Sequence, residues 1–207
     1  MPNTTDILEL DVTRPFRIRW TRADCERFEG DGLLTPGKYE LIEGDILRTM
    51  GQNRSHINTV MIVIRWLFGV FGDAFVQGPG PIDVSPEDNP TSEPEPDVTV
   101  LTRPLTEFTN VNPRPKEILL LAEISDATRY FDRGTKAGLY ARAKIAEYWS
   151  LDLVARVLYV HREPREGKYQ SVTPYQETGS IAPLAAPQEV LPVSALLPPH
   201  LIDGSVV

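Results

Sequence analysis

Two acidic residues and one lysine, well separated in the sequence, are of the types that metal-dependent hydrolysis needs. Asp97 opens the apolar run 97–101, and Glu123 lies near the end of a second apolar run, 118–124. Lys136 stands near the start of a predicted helix that follows. Carboxylates on core strands are costly unless they are paired or bind a metal. The two acids therefore require an explanation.

Such a set suits the hydrolysis of a phosphodiester by a metal-activated water. Mg²⁺ neutralises charge in the transition state and lowers the pKa of its bound water. It is commonly held by one or two carboxylates together with waters and substrate phosphate, and Mn²⁺ could take its place. Asp97 and Glu123 would be the two carboxylates, and the backbone carbonyl of Ile124 could be added. Lys136 could orient the water or stabilise developing negative charge.

A purely structural interpretation of the same residues is also open. Asp97 could begin its strand by accepting hydrogen bonds from a turn, and Glu123 could pair with Arg129 or Arg133. Spacing along the chain does not separate this interpretation from the catalytic one.

Length and composition narrow the class of protein. The 207 residues suit one domain, and a hydrophobic fraction of 41% can supply a sizeable core. The single cysteine and three scattered histidines argue against a disulfide framework, a cysteine-rich zinc site and a histidine cluster. No apolar run is long enough to span a membrane and no signal peptide is evident, so we expect a cytoplasmic protein. The net charge of −8 speaks against broad nonspecific binding to nucleic acid.

Local signals predict an alternation of strands and helices. A capping box at 21–24 predicts a helix that ends near residue 30. Two short strands around Gly44 predict a β-hairpin. Helical spacing of apolar residues predicts helices over 55–71 and 134–146. A strand broken by a Gly-Pro-Gly-Pro stretch is predicted at 74–85. Further strands are predicted at 97–101, 117–125, 147–151, 155–161 and 168–175, with loops at 86–96 and 102–116.

The order of these elements predicts the topology of the core. Strand, helix and strand between residues 118 and 151 suggest a βαβ crossover with parallel neighbouring strands. No clean boundary divides the chain, so we expect a single domain over 1–207. Residues 1–15 and 182–207 are expected to form extended tails.

Several of these segments, taken together in order, resemble a known family. The residues that carry the resemblance are 121–136, then Leu-Tyr-Ala-Arg-Ala at 139–143 and Glu-Tyr-Trp at 147–149, preceded by Tyr-Glu-Leu-Ile-Glu-Gly at 39–44, Ser-His at 55–56 and Pro-Asp at 96–97. They are similar to a restriction-endonuclease family that is abundant in cyanobacteria and has long been described as a domain of unknown function. That family belongs to the PD-(D/E)XK nuclease superfamily. The resemblance covers roughly residues 20–200.

The resemblance implies an α/β protein of restriction-endonuclease-like fold, with a central mixed β-sheet flanked by helices and an N-terminal β-hairpin. It implies that Asp97 and Glu123 bind the metal. The superfamily usually has its lysine two residues after the glutamate, where this chain has Ser125. Lys136, on the following helix, matches the lysine of this family. Either Glu40 or Glu43 matches an acidic N-terminal element that completes such a site, and we favour Glu40 because it lies within the strand.

The resemblance also implies partners. DNA is the expected substrate, and a homodimer is expected because many nucleases of this fold make two cuts in a duplex. Candidates for contact with substrate are His56, Ser125 and Arg129. Each has a structural alternative, namely a hydrogen bond at a helix start for His56 and a loop that bonds its own backbone for the other two.

Three further residues have more ordinary interpretations. Asp132 is expected to cap the helix that carries the lysine, and Tyr148 and Trp149 are expected in the sheet core.

Two other functions stay open. The chain could be a non-catalytic module of the same fold that binds nucleic acid or a protein, or a metal-dependent hydrolase of another phosphoester.

Overall fold

The computed structural model describes residues 18–48, 53–126 and 128–199, and the backbone of residues 201, 202, 205 and 206. The expected tail at 1–15 lies outside this range. The described residues include three longer helical segments. They are α1 (Arg22–Gly30), α2 (Arg54–Phe71) and α3, which runs as an α-helical turn Arg129–Phe131, a π-helical turn Asp132–Lys136 and an α-helix Ala137–Arg142. Short 3₁₀ turns occupy Asp73–Phe75, Asn89–Thr91, Leu105–Phe108, Pro115–Glu117 and Val193–Leu196.

The strands form one large sheet and several two-stranded pairs. Strands β1 (Tyr39–Ile42) and β2 (Asp45–Arg48) make the hairpin, β3–β8 make the sheet, and two short pairs lie near the C-terminus. The strands of the sheet are β3 (Val76–Gln77), β4 (Val98–Leu101), β5 (Ile118–Ser125), β6 (Glu147–Asp152), β7 (Val157–Arg165) and β8 (Lys168–Gln176). The short pairs are β9 (Ser180–Ile181) with β10 (Leu191–Pro192), and β11 (Leu201–Ile202) with β12 (Ser205–Val206).

The N-terminal elements form as their sequence signals predict. Thr21 accepts a hydrogen bond from the backbone of Asp24, whose side chain bonds the Thr21 backbone in return, so the capping box begins α1. The β1–β2 hairpin turns at Glu43 and Gly44, both of which have positive φ values. The predicted helix and hairpin are confirmed.

The large sheet is mixed, with the order β3-β4-β5-β6-β7-β8. Strands β5 and β6 run parallel, and α3 connects them as the predicted crossover. Every other neighbouring pair in this sheet is antiparallel. The expected α/β fold with a central mixed sheet is confirmed.

Because side chains alternate along a strand, the residues on the two faces of β5 pack in two different hydrophobic clusters. Leu120, Ala122 and Ile124 pack with the buried side of α2. Leu121 packs with Tyr140 and other residues of α3 on the opposite face. The sheet is therefore covered by a helix on each side, and residues in register with Leu121 point toward α3.

Three predicted boundaries need correction. The strand expected over 74–85 is limited to Val76–Gln77, because the prolines that follow cannot donate backbone hydrogen bonds to a neighbouring strand. The helix expected over 134–146 begins earlier, at Arg129, and ends at Arg142. Lys144 has a φ of 59°, and this left-handed conformation turns the chain out of the helix before β6.

The C-terminal region differs from the expected extended tail at 182–207. Strand β10 pairs with β9, and the 3₁₀ turn Val193–Leu196 follows directly. Val193, Leu196 and Leu197 are buried in the core cluster beneath α2. Within the described part of this range, the chain thus contributes to the core. Among the described helices, none is long and apolar enough to cross a membrane.

Candidate active site

Asp97, the residue directly before β4, lies opposite Glu123 on the neighbouring strand β5. Val98 pairs with Ala122 and Thr99 with Leu121, so continuing this register by one residue sets Asp97 opposite Glu123. Directly opposed residues have Cβ atoms about 4.5–5.5 Å apart. Asp97 is 7% exposed and Glu123 is 5% exposed. The strand pairing therefore brings together two buried acids that are far apart in the sequence.

Lys136 reaches this pair from α3. Its Nζ lies 2.9 Å from Glu123 Oε1 and 2.9 Å from both carboxylate oxygens of Glu40. Lys136 ends the π-helical turn of α3, and such a turn inserts an extra residue that changes which side chains face the sheet. The amine thus points at Glu123, as the resemblance implied for a lysine supplied by the following helix.

Burial and charge act together on the pKa values of these groups. Burial raises the pKa of Asp97 to about 7, although the hydrogen bond from Ile124 N–H opposes the shift. Burial likewise raises the pKa of the Glu123 carboxyl, with Lys136 opposing it. For Lys136, burial lowers the pKa, but the nearby carboxylates of Glu123 and Glu40 outweigh it and hold the pKa above its ordinary value. Lys136 therefore stays protonated at neutral pH.

The hairpin supplies Glu40 and directs Glu43 elsewhere. Glu40 accepts a 2.9 Å hydrogen bond from the Glu95 backbone as well as its contacts with Lys136. Glu43, in the turn, pairs instead with Arg142 at 2.7 Å. Of the two acids that the sequence left as alternatives, Glu40 is the one that lies beside Lys136.

His56 lies at the edge of the pair of acids. Its Nε2 is 3.3 Å from Asp97 Oδ2, and its backbone N–H donates to the side chain of Asn53, which caps α2. The backbone of His56 makes the predicted hydrogen bond at the helix start, and its ring lies beside Asp97. Contact between the ring and substrate stays a prediction. Burial lowers the pKa of the imidazole, so the ring is mainly neutral at neutral pH.

Ile124 contacts Asp97 through its backbone. Its N–H donates to Asp97 Oδ2 at 2.8 Å, so the main chain just after Glu123 runs beside the carboxylate. The contact that the structure shows is made by the amide, whereas the sequence prediction concerned the carbonyl of the same residue.

Ser125 does not fit the predicted role in substrate binding. It is fully buried, and its hydroxyl donates to Asp132 Oδ2 at 2.8 Å and lies 3.3 Å from Ser150 Oγ. Thr128 also donates to Asp132, at 2.6 Å. These bonds fix the start of α3 to the end of β5. The expected capping role of Asp132 is wrong, because Asp132 lies within α3 and accepts from two side-chain hydroxyls, whereas Thr128 is the residue that precedes the first helical turn. Ser125 therefore holds the scaffold behind the acids and offers substrate no exposed surface.

Arg129 lies outside the set of contacting residues. Its guanidinium donates to the carbonyl of Asp126, whose side chain accepts a hydrogen bond from Asn53 at the start of α2. Arg129 is half-buried and is the first residue of α3. Among the ion pairs of the described residues, none joins Arg129 to Glu123. Glu123 pairs with Lys136 instead of with Arg129 or Arg133, the partners that the structural interpretation offered.

Tyr140 is a site residue that sequence reasoning placed only in the core. Its hydroxyl donates to Glu123 Oε1 at 2.9 Å, beside Lys136 Nζ. The signal was present, since Tyr140 follows Lys136 by four residues and the two therefore share a helix face. Tyr148 and Trp149 are fully buried, as expected for sheet core.

The donor set for a divalent metal is small but chemically suitable. No group of three or more His, Cys, Asp or Glu side chains is arranged to hold a metal within the described ranges. The hydrogen bonds shown to Glu123 all reach Oε1, and those shown to Asp97 reach Oδ2. Each acid thus retains a second oxygen, and two carboxylates suit Mg²⁺, which often keeps waters and substrate phosphate as its other ligands.

Comparisons with known proteins identify the family and support the fold. A family described as “Uma2: Putative restriction endonuclease” matches residues 24–194. No curated protein matches the sequence. The fold is similar to a solved structure described as “a putative nuclease belonging to DUF820” from Anabaena variabilis ATCC 29413, with a TM-score of 0.59 and 13% identity. The match covers 76% of this chain and 88% of that one, and it supports the nuclease fold.

Proposed function

The chain belongs to the Uma2 family of restriction-endonuclease-like proteins, and from this premise we propose that it is a metal-dependent endonuclease that hydrolyses DNA phosphodiester bonds. The observation that carries the proposal is the pair of opposed buried acids, Asp97 and Glu123, with the ammonium of Lys136 2.9 Å from one of them. A buried charge cluster of this kind is costly for a fold and is typical of a catalytic site.

Asp97 and Glu123, with the backbone carbonyl of Ile124, would hold Mg²⁺ or Mn²⁺, which when bound neutralises phosphate charge and acidifies a water. The hydrogen bonds to Asp97 and Glu123 from Ile124, Lys136 and Tyr140 fix their orientation before any ligand arrives. Such preorganisation lets a site act without reorganising during the reaction.

Lys136 supplies positive charge in this proposal. Because the surrounding carboxylates keep it protonated, it can donate hydrogen bonds but cannot accept a proton from water. Its role is to stabilise negative charge on a phosphate oxygen or to orient the attacking water. Glu40 holds the ammonium from the other side and keeps it directed at Glu123.

His56 and Arg129 would meet the substrate at the edge of the site. The neutral imidazole of His56 can bond a water or a phosphate oxygen beside Asp97. Arg129 begins α3 and donates to the loop carbonyl of Asp126, and from this position its guanidinium can contact a phosphate. The homodimer and the cytoplasmic location stay predictions.

Plasmid nicking with matched variants tests the proposal. We expect the wild type to nick supercoiled DNA with Mg²⁺ or Mn²⁺ and to be inactive in EDTA. Asp97→Asn and Glu123→Gln should each lower the rate by at least about 100-fold, the loss typical when a group that stabilises the transition state is removed. Glu117→Gln is the control, since that partly buried acid pairs with Arg103 in the segment that leads into β5. Equal rates for the wild type and Asp97→Asn would overturn the assignment of the site.

A second candidate is a non-catalytic module that uses the same fold for binding. It is favoured by the observation that Lys136 is already engaged by two carboxylates, which would also suit a purely structural ion cluster. Calorimetric titration with Mn²⁺ separates the candidates. Binding that is lost in Asp97→Asn supports catalysis, whereas no binding to the wild type supports the module.

A further inference from the structure

Tyr130 presents an aromatic side chain to solvent close to two arginines. The ring is 73% exposed, and it belongs to neither core cluster. The guanidinium carbon of Arg129 lies 4.9 Å from the ring centroid, and that of Arg133 lies 5.6 Å from it. We call Arg129, Tyr130 and Arg133 the Arg–Tyr platform. Packing in the core therefore does not explain why residue 130 is aromatic.

The platform is positively charged within an acidic chain. The hydrogen bonds that the structure shows for the Arg129 side chain and for Arg133 Nε go to backbone carbonyl oxygens, of Asp126 and of Arg129. Arg133 also forms an ion pair of 3.8 Å with the buried carboxylate of Asp152, which offsets part of its charge. The carbonyl partner of Arg129 leaves the formal charge of that guanidinium in place. With a net charge of −8 on the whole chain, a local pair of arginines around an exposed ring is suited to an anionic ligand that also has a flat face.

The position of Arg133 relates the platform to the acids. Its guanidinium carbon lies 4.2 Å from the ring centroid of Tyr159 on β7. Tyr159 pairs with Ser150 on β6, and Ser150 pairs with Glu123 on β5. These three residues thus lie in one row across the same face of the sheet. Two strand spacings separate Tyr159 from Glu123, which is about 10 Å.

The loop before α3 gives a second connection to the acids. Asp126 accepts a hydrogen bond from Asn53, which caps α2 three residues before His56. The His56 ring in turn contacts Asp97. The platform therefore begins directly after the loop that borders the partly exposed side of the site.

We propose that the Arg–Tyr platform stacks an unpaired base of the substrate next to the scissile phosphate, while Arg129 contacts the adjoining backbone. This inference rests on the proposed nuclease function and deepens it by naming the substrate class. A nucleobase offers a π-face to tyrosine and an adjoining phosphate to arginine, and such stacking tolerates any base. A base within an intact duplex is already stacked on both faces. The preferred substrate is accordingly single-stranded DNA, or DNA with an unpaired stretch at the cleavage position.

Binding measurements separate the platform from the chemistry. Fluorescence anisotropy with a labelled single strand of about 20 nucleotides, and with its duplex, would be recorded in EDTA in the Asp97→Asn background. We expect tighter binding to the single strand. Tyr130→Ala and Tyr130→Leu should weaken that binding roughly 5- to 100-fold and remove the preference over duplex, whereas Tyr130→Phe should retain both. Because Tyr130 is exposed, these variants should fold normally.

Arginine variants test the electrostatic half of the platform. Arg129→Ala should lower the slope of log affinity against log salt by about 0.7–1, as expected when one phosphate contact is lost. The control is Arg165→Ala, which removes an exposed arginine at the far end of β7. It should leave the strand preference unchanged.

The outcomes distinguish this inference from the function on which it rests. If the wild type cleaves DNA with Mn²⁺ but Tyr130→Ala binds the single strand as well as its parent does, the platform is overturned and the nuclease stands. A wild type that prefers duplex would overturn the platform in the same way. If no form of DNA is bound or cut, both proposals fall.

Discussion

Two basic residues of α3 bridge the hairpin to the rest of the protein, and they do so in very different surroundings. Lys136 joins Glu40 of β1 to Glu123 of β5, and its side chain is 6% exposed. Arg142 joins Glu43 of the hairpin turn to Asp88, and its side chain is 35% exposed. The helix, the hairpin and the kind of interaction are shared, so burial is the main variable.

The difference shows which bridge serves the fold alone. Arg142 makes hydrogen bonds of 2.7–3.1 Å in a partly exposed position, where an ion pair costs less and contributes less than a fully buried one. Lys136 and its acids are removed from water, so their pairing must offset a large desolvation penalty. If the fold needed only to attach the hairpin to the helix, a second partly exposed ion pair like that of Arg142 would be enough. The buried bridge is therefore the one expected to have a function beyond holding the hairpin.

The largest effect on stability is expected from Lys136→Met. Removing the ammonium leaves Glu40 and Glu123 uncompensated, and breaking a buried pair in this way costs about 3–5 kcal/mol. Urea unfolding at pH 8 measures the loss. Nicking activity should fall as well, by at least about 100-fold. If stability and activity were both unchanged, the buried cluster would have neither of the roles assigned to it.

The sequence could predict much of this buried cluster because each member has a local signal. Asp97 and Glu123 interrupt apolar runs that are too hydrophobic to be surface strands, and Lys136 follows in a helical pattern. The register that sets the two acids opposite each other depends on a loop of irregular structure between β4 and β5. Strand pairing across such a loop is a tertiary property, so the resemblance to a family was needed to connect them.

Two predictions that the structure corrects show which features local sequence signals cannot predict. Ser125 was a candidate for contact with substrate, but the π-helical turn of α3 places Asp132 within hydrogen-bond distance of its hydroxyl. Val193 and Leu196 were hidden within a proline-rich stretch, although their spacing of three suits one face of a turn. In both cases the outcome depends on packing against a distant element, which periodicity alone does not encode.

Asp97→Asn is expected to have an opposite effect on stability. Because the pKa of Asp97 is raised in the folded protein to about 7, the buried carboxylate destabilises the fold once it ionises. The amide has no charge to bury, so the variant should be more stable by roughly 1–4 kcal/mol at pH 8, given about 1.4 kcal/mol per unit of pKa shift. It should nonetheless be inactive.

The pH dependence of this difference follows from the same shift. Below the unfolded pKa near 3.8 both forms of the residue are neutral, and the two proteins should be similarly stable. The advantage of the Asp97→Asn variant over the wild type should grow between about pH 4 and pH 7 and then level off. Urea midpoints measured across this range without divalent metal would show it. An advantage independent of pH would mean that charge burial is not its cause.

Tyr140→Phe should have a smaller effect, because it removes one hydrogen bond and keeps the ring. The lost bond to Glu123 is made to a charged acceptor and should cost about 1.5–3 kcal/mol at pH 8. Activity should fall moderately, with the carboxylate less firmly oriented. Tyr148→Phe is the matched control, since its buried hydroxyl donates to the Asp132 carbonyl. A larger loss of activity in that control would contradict the role given to Tyr140.

Arg142→Gln should have the smallest effect and completes the comparison of the two bridges. Its partners are partly exposed and can be solvated when the guanidinium is removed, so the cost should be about 1 kcal/mol or less. That cost should shrink as salt is added, because solvated ion pairs are screened. Nicking activity should match the wild type, since Glu43 and Asp88 do not contact Lys136 in the hydrogen bonds shown for the described residues. A loss of activity as large as that of Lys136→Met would mean that the hairpin must be held at both bridges for the site to form, and burial would no longer separate the functional bridge from the structural one.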